Sequence, residues 1–218
     1  MSDSQIRQDI IDELEFDPSF NGEHVGVAVD ENVVTLAGHV NSYAEKLAAI
    51  AAARRVKGVR TIAENIEVRY PYLNKTADDQ IAKRASDILN WDVIVPSNAV
   101  DVLVQHGFVT LSGNVNWYYQ KIAAEEDVCK LSGVRGVSNM IAINPLVDSS
   151  NVKRKIESAL KRHAEIEAKS IRITVQNGNK VVLEGKVDNW DERRVVENAA
   201  WSAPGVASVE DRLTINLS

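Results

Sequence analysis

The sequence predicts an α+β protein of three tandem helix–strand–strand–helix–strand (αββαβ) units, each a three-stranded sheet covered on one face by two helices. Three observations predict it. The stretch Val33-Val34-Thr35-Leu36-Ala37-Gly38-His39-Val40 returns as Val109-Thr110-Leu111-Ser112-Gly113-Asn114-Val115 and as Val181-Val182-Leu183-Glu184-Gly185-Lys186-Val187, with the glycines 75 and 72 positions apart. Twenty residues beyond each glycine stands another followed by valine: Gly58-Val59, Gly133-Val134 and Gly205-Val206. The segment between the two glycines is Ala-rich in all three copies. A fixed period of this kind marks a repeat architecture. The units are bounded at residues 1–73, 74–146 and 147–218. At about 70 residues, each is near the lower size limit for a self-sufficient core.

Each unit opens with a helix whose apolar residues recur every fourth position: Ile6, Ile10, Leu14; Ile81, Ala85, Leu89; Val152, Ile156, Leu160. That spacing makes one apolar stripe. Asp3, Asp78 or Asp79, and Ser149 or Ser150 precede the stripes and are placed to cap the first-turn amides. An alternating run follows, centred on Val25-Val27-Val29, Val100-Val102-Val104 and Ile171-Ile173-Val175, which reads as a half-buried strand. Turns at Asp30-Glu31-Asn32, Gln105-His106-Gly107 and Gln176-Asn177-Gly178-Asn179 lead into the repeated strand, the Asn-Gly being a strong hairpin signal.

Asn41-Ser42, Asn116 and Asp188-Asn189 then start a second helix, and Ser42 with Glu45, like Asn189 with Glu192, has capping-box spacing. Its alanines let it lie close on a sheet. Gly58, Gly133 and Gly205 end it, where positive φ is wanted. A last strand runs through Ile62, Ile66, Val68; Val137, Ile141, Ile143; and Val209, Leu213, Ile215. This helix must join two parallel strands, so a right-handed crossover is expected. The links Tyr70-Pro71-Tyr72-Leu73-Asn74 and Pro145-Leu146-Val147-Asp148 are short, so neighbouring units should pack together.

Composition narrows the function class. The net charge of -6 hides a gradient: Lys and Arg against Asp and Glu number 7 to 12, 6 to 8 and 12 to 11 in the three units. An acidic chain suits general nucleic-acid binding poorly, because that rests on clustered cations neutralising phosphates. No apolar run approaches the roughly 20 residues that span a bilayer. Met1-Ser2-Asp3-Ser4-Gln5 opens into a polar helix and not into a basic segment followed by an apolar one. As it stands the chain is expected in the cytoplasm, or in the periplasm if a leader has been removed. The single Cys129 forms no internal disulfide and reads as an inert, buried or half-buried thiol.

The tripled Val-x-Leu-x-Gly-x-Val with its Gly-Val 20 residues on resembles the BON domain family, and three copies in tandem are similar to hyperosmotically inducible periplasmic proteins of that family. The resemblance covers nearly the whole chain. It implies an αββαβ fold and a non-enzymatic role: binding phospholipid or attaching to envelope surfaces, with support of other proteins under osmotic stress. No cofactor is expected.

Two surfaces stand out. Lys153, Arg154, Lys155, Lys161 and Arg162 surround the apolar stripe of the third unit. A basic amphipathic helix can lie on an anionic lipid surface, with about 1 kcal/mol contributed per cation close to it. The plainer reading is a solvated face, since Glu157 interrupts the basic side and the fold needs the stripe. Aromatic residues gather where the second helix starts: Tyr43, then Trp117, Tyr118 and Tyr119, then Trp190. Tyr43, Tyr118 and Trp190 share one repeat position and read as packing; Trp117 and Tyr119 are extra to the repeat and are candidates for a protein contact.

Other constellations carry less. Gly133-Val134-Arg135-Gly136 matches a nucleotide-clamping GxxG, but joins a helix to a strand in an acidic unit, so no nucleic-acid partner is expected. His24, His39, His106 and His163 occupy four different repeat positions without metal-ligand spacing, so no metal site is expected. No catalytic group is assigned, because Cys129 has no recurring His or Asp partner. The chain therefore reads as a non-enzymatic binding protein whose partner is an anionic phospholipid surface, with a cytoplasmic protein–protein adaptor or chaperone-like module as the alternative.

Overall fold

A computed structural model of the 218-residue chain describes residues 2–18, 22–31, 33–70, 76–144, 151–162, 171–177 and 179–215. The first repeat runs α1 (Asp3–Phe16), β1 (Val25–Asp30), β2 (Val33–Val40), α2 (Tyr43–Arg55) and β3 (Thr61–Val68). The second has α3 (Asp78–Trp91), β4 (Val100–Gln105), β5 (Phe108–Val115), α4 (Tyr118–Cys129) and a closing strand in two pieces, β6 (Gly136–Asn139) and β7 (Ala142–Ile143). The third has α5 (Val152–Leu160), β8 (Ile171–Gln176), β9 (Lys180–Val187), α6 (Trp190–Trp201) and β10 (Ser208–Ile215). The αββαβ order is thus present three times. Of the inter-repeat links, residues 71–74 and 145–148, together with Asn32, Ser149, Ser150, His163 and Gly178, lie outside the described residues.

The repeated Gly-containing strand is the middle of every sheet. In the first it pairs antiparallel with β1 and parallel with β3, so the closing strand neighbours the second strand and not the first. The parallel partner always lies 28 positions on: Val33↔Thr61, Phe108↔Gly136, Lys180↔Ser208. The same offset holds for Asn114↔Ala142, so the break between β6 and β7 leaves the register unchanged.

The predicted stripes are the buried faces. Ile6, Ile10 and Leu14, Ile81, Ala85 and Leu89, and Val152, Ile156 and Leu160 are all buried. They pack with the inward residues of the central strands, Val34, Leu36 and Val40 in the first core and Val181, Leu183 and Val187 in the third. Full burial of such a side chain contributes roughly 1.5–3 kcal/mol. The buried alanines of the second helices, Ala49, Ala52, Ala53 and Ala199, Ala200, let those helices lie close to the sheet.

Backbone contacts divide the chain into two compact units, Met1–Ser112 with Ala123–Met140 and Gly113–Ile122 with Ile141–Ser218. In the first, the Tyr70 hydroxyl donates to the Val134 carbonyl at 2.6 Å, joining the first repeat to the second. In the second, Tyr118 stacks on Trp201 of the third repeat. The expected packing between neighbouring repeats is seen in these two contacts.

Capping differs from expectation at all three first helices, α5 starting at Asn151 with no side-chain cap. Ser2, not Asp3, caps α1 by accepting the Gln5 amide at 3.3 Å, and α3 starts at Ala77 with no side-chain cap. The aspartates hold the hairpin turn instead. Asp3 accepts the Glu31 amide at 3.0 Å, and Asp78 accepts those of His106 and Gly107 at 2.7 and 2.9 Å. The turn amides point out of the strand ladder and need an acceptor, which the start of the packed helix supplies. The second helices cap as the sequence indicates, with Ser42 accepting the Glu45 amide at 3.2 Å and Asn189 the Glu192 amide at 2.8 Å.

Candidate functional site

The cationic helix of the third repeat presents its charges outward because Val152, Ile156 and Leu160 are turned into the core. All five candidate cations, Lys153, Arg154, Lys155, Lys161 and Arg162, are exposed. Three of them come together: Arg154, Lys155 and Arg162 line a groove of about 380 Å³ between α5 and α6, with Ser158, Ala159, Ala199, Ser202, Ala203 and Pro204. The floor is small and apolar, the rim cationic. Lys153 stands outside it and reaches Glu157 at 3.8 Å, while Lys161 caps the helix and is also outside. Among the described residues, no carboxylate pairs with Arg154, Lys155 or Arg162. Such a groove can take the phosphate of an anionic group on its rim and apolar carbon against its floor.

The aromatic candidates separate as their repeat positions suggest. Tyr118 is in the stack with Trp201, and the Tyr43 phenol oxygen takes a hydrogen bond from the Val137 backbone of the second repeat, burial raising its pKa and that bond lowering it, with a net rise. Trp117 and Tyr119 instead stack on each other, centroids 6.5 Å apart and planes 21° apart, and Tyr119 is 58% exposed. They form an open aromatic pair beside the start of α4.

The six repeat glycines all have positive φ, from 93° to 142°. At Gly38 the reason is explicit: a Cβ would sit 1.9 Å from the His24 carbonyl oxygen. At Gly133 a Cβ would meet Thr76 and Ile81 at 2.8 Å. The GxxG stretch is therefore a close packing of the helix end on α3. It lines a cleft of about 500 Å³ with Tyr70, Asp78, His106 and Arg135. Cys129 is buried, and its thiol is pushed up to about 12, first by burial and then by Glu125 and Glu126, which leaves it without thiolate at neutral pH.

Sequence reasoning passed over three features. A cation eight positions after each repeat glycine clasps the closing strand: Lys46 donates to the Ile66 carbonyl at 3.0 Å, Lys121 to that of Ile141 at 2.8 Å, and Arg193 to Asp211 at 2.6 Å. The identical spacing was a readable signal. Trp91, at the end of α3, and Val93, just after it, are 86% and 98% exposed. Spacing along the chain also gave no sign that His24 and His39 stack, centroids 4.6 Å apart and planes 13° apart. The hairpin register, with Val25 opposite Gly38, sets the two rings across from each other.

The fold and its tripled glycine strand find a match among known proteins. The family model described as BON domain matches residues 2–70, 77–145 and 148–216. The chain is a BON-domain protein. Its three sheets are three BON units in tandem. This BON-domain protein is similar to Osmotically-inducible protein Y of Escherichia coli (strain K12), 32% identical over 146 residues, which are 64% of this chain and 71% of that one. A structure of CdsD, a structural protein of the type III secretion system of Chlamydia trachomatis, matches over 98% of this chain and 93% of that one, at 16% identity and a TM-score of 0.28. A second structure, of the CdsD C-terminal domain, matches at 15% identity over the whole of both chains with a TM-score of 0.27. Likenesses this slight carry no argument about arrangement. Among the described residues of this BON-domain protein, no helix is long and apolar enough to cross a membrane.

Proposed function

We propose that this BON-domain protein is a non-enzymatic binding protein of the osmotic-stress response that associates with anionic phospholipid through the groove between α5 and α6. One observation carries the reading: Arg154, Lys155 and Arg162 converge on one groove with an apolar floor. Likeness to an osmotically inducible protein supports the stress link. Each cation near an anionic surface contributes about 1 kcal/mol, so the three together favour surface association by roughly a hundredfold. Lys153 and Lys161, outside the groove, add long-range attraction that salt screens.

Co-sedimentation with vesicles tests this. The chain binds vesicles containing phosphatidylglycerol or cardiolipin and not neutral ones, releases them at moderate salt, and loses them when Arg154, Lys155 and Arg162 are changed together to Gln. Binding that survives that triple change, or the lack of binding to any vesicle, overturns the reading.

The open pair of Trp117 and Tyr119 favours a second reading, an adaptor for another protein. An exposed Tyr119 stacked on a half-buried Trp117, both extra to the repeat, suits the centre of a protein contact. A salt-tolerant partner lost on changing both residues to Ala is the outcome that distinguishes it.

A further inference from the structure

We propose that His24 and His39 form a binding site for a divalent transition-metal ion of the kind that prefers imidazole. The two residues are 15 positions apart in sequence and directly opposite in space. The chain enters β1 at His24 and leaves the repeated glycine at His39, and the antiparallel register that pairs Val25 with Gly38 continues one step outward to these two residues. Gly38 makes the approach possible, since its missing Cβ leaves room for the His24 carbonyl.

The rings lie 4.6 Å apart and nearly parallel, and the described residues show no hydrogen bond from either ring. Both imidazoles therefore keep a nitrogen lone pair for an incoming ion. Rings this close can reach one ion through a nitrogen of each, at the roughly 2.0–2.1 Å that such bonds require. The backbone already fixes the spacing, so little chain entropy is lost on binding.

The pair is also extra to the repeat. Ala99 and Asn114 hold the corresponding positions in the second copy, and Lys186 holds that of His39 in the third. The fold does not require imidazole there.

No third His, Cys, Asp or Glu joins the two among the described residues. Glu67 is beside His39 in the β2–β3 pairing but is turned to Arg69 at 2.7 Å. Water fills the remaining coordination positions. A two-imidazole site with open positions follows the general order of divalent affinities, copper above nickel and zinc. Protons compete for the same lone pairs, so affinity falls on acidification.

Calorimetric titration of the full chain with Cu²⁺, Ni²⁺ and Zn²⁺ separately, at neutral pH, tests the site, with histidine ring resonances followed by NMR. One ion per chain is expected, tightest for Cu²⁺, with the His24 and His39 resonances affected first. His24→Gln and His39→Gln each weaken binding at least tenfold, while His106→Gln and Glu67→Gln leave it within twofold. Thermal unfolding without metal checks that the variants are folded; His24 is exposed and His39 only half-buried, so Gln is tolerated at both and the midpoints stay near that of the parent. Undiminished binding in the folded His24→Gln and His39→Gln variants, or no saturable binding by the parent chain, overturns the assignment.

Discussion

The ring of Tyr118 lies flat on that of Trp201, centroids 4.2 Å apart and planes 6° apart. One ring stands at the start of α4 and the other at the end of α6, so the stack ties the second repeat to the third. Tyr118 owes its place to the recurring position five residues after the repeat glycine; Trp201 has Cys129 and Arg54 at its position in the other copies.

The stack should be measurable as a coupling. Tyr118→Ala and Trp201→Ala each destabilise the chain, and the double variant costs less than the two singles together by about 1 kcal/mol, the usual value of an aromatic pair beyond its area. Urea denaturation of the full chain followed by circular dichroism reads this difference. Strict additivity would show that the rings merely lie near each other.

Two glycines of one hairpin should behave in opposite ways. Gly38→Ala puts a Cβ 1.9 Å from the His24 oxygen at a φ of +137°, and should cost about 3 kcal/mol. Gly26→Ala meets only the Ala37 oxygen at 3.5 Å, an ordinary contact, and should change stability by less than about 0.5 kcal/mol. Thermal midpoints of the two variants decide it.

Asp127 should give the chain a pH-dependent weakness. Its Oδ2 is buried without a hydrogen-bond partner, and burial, then Asp92, raises its carboxyl above the ordinary 3.8. The folded state therefore holds this proton more tightly than the unfolded chain does. Stability from this group is fully present below 3.8 and is lost as pH rises through the raised folded value. Asp127→Asn should raise stability at pH 7 by about 1 kcal/mol, the order of one unmade hydrogen bond. The gain should shrink as pH is lowered into the titration window, where the parent carboxyl is already neutral. A gain constant with pH would assign it to packing.

The architecture was legible because it was written three times. Stripes such as Ile6, Ile10, Leu14 carry a period of their own, and the burial of all three copies follows it. What one copy left ambiguous another supported. Features that depend on pairing were less legible. The place of β3 beside β2 is set by register between segments far apart, and no local pattern encodes it. Asp3 and Asp78 have the composition of helix caps, and only the folded hairpin shows which amides they receive. His24 and His39 escaped notice for the same reason: their proximity belongs to the hairpin and not to the interval between them. For the basic helix, spacing supplied five cations but only the position of α6 selects Arg154, Lys155 and Arg162 among them.

The parallel closing strand has a consequence for how the molecule keeps company with itself in solution. β10 ends its sheet, and a terminal strand is a template onto which another chain can add. Its sequence places Glu210, Asp211 and Arg212 in succession. Glu210 bonds Lys180 at 2.6 Å, and Arg212 bridges Glu210 and Glu184, so mixed charge spans the open face of that sheet. An incoming strand would have to strip water from these groups without replacing their partners. The ion pairs contribute little to folding at so exposed a site. Their greater effect is to make amyloid-like growth along this edge costly, a safeguard that matters most when loss of cell water concentrates every protein at once.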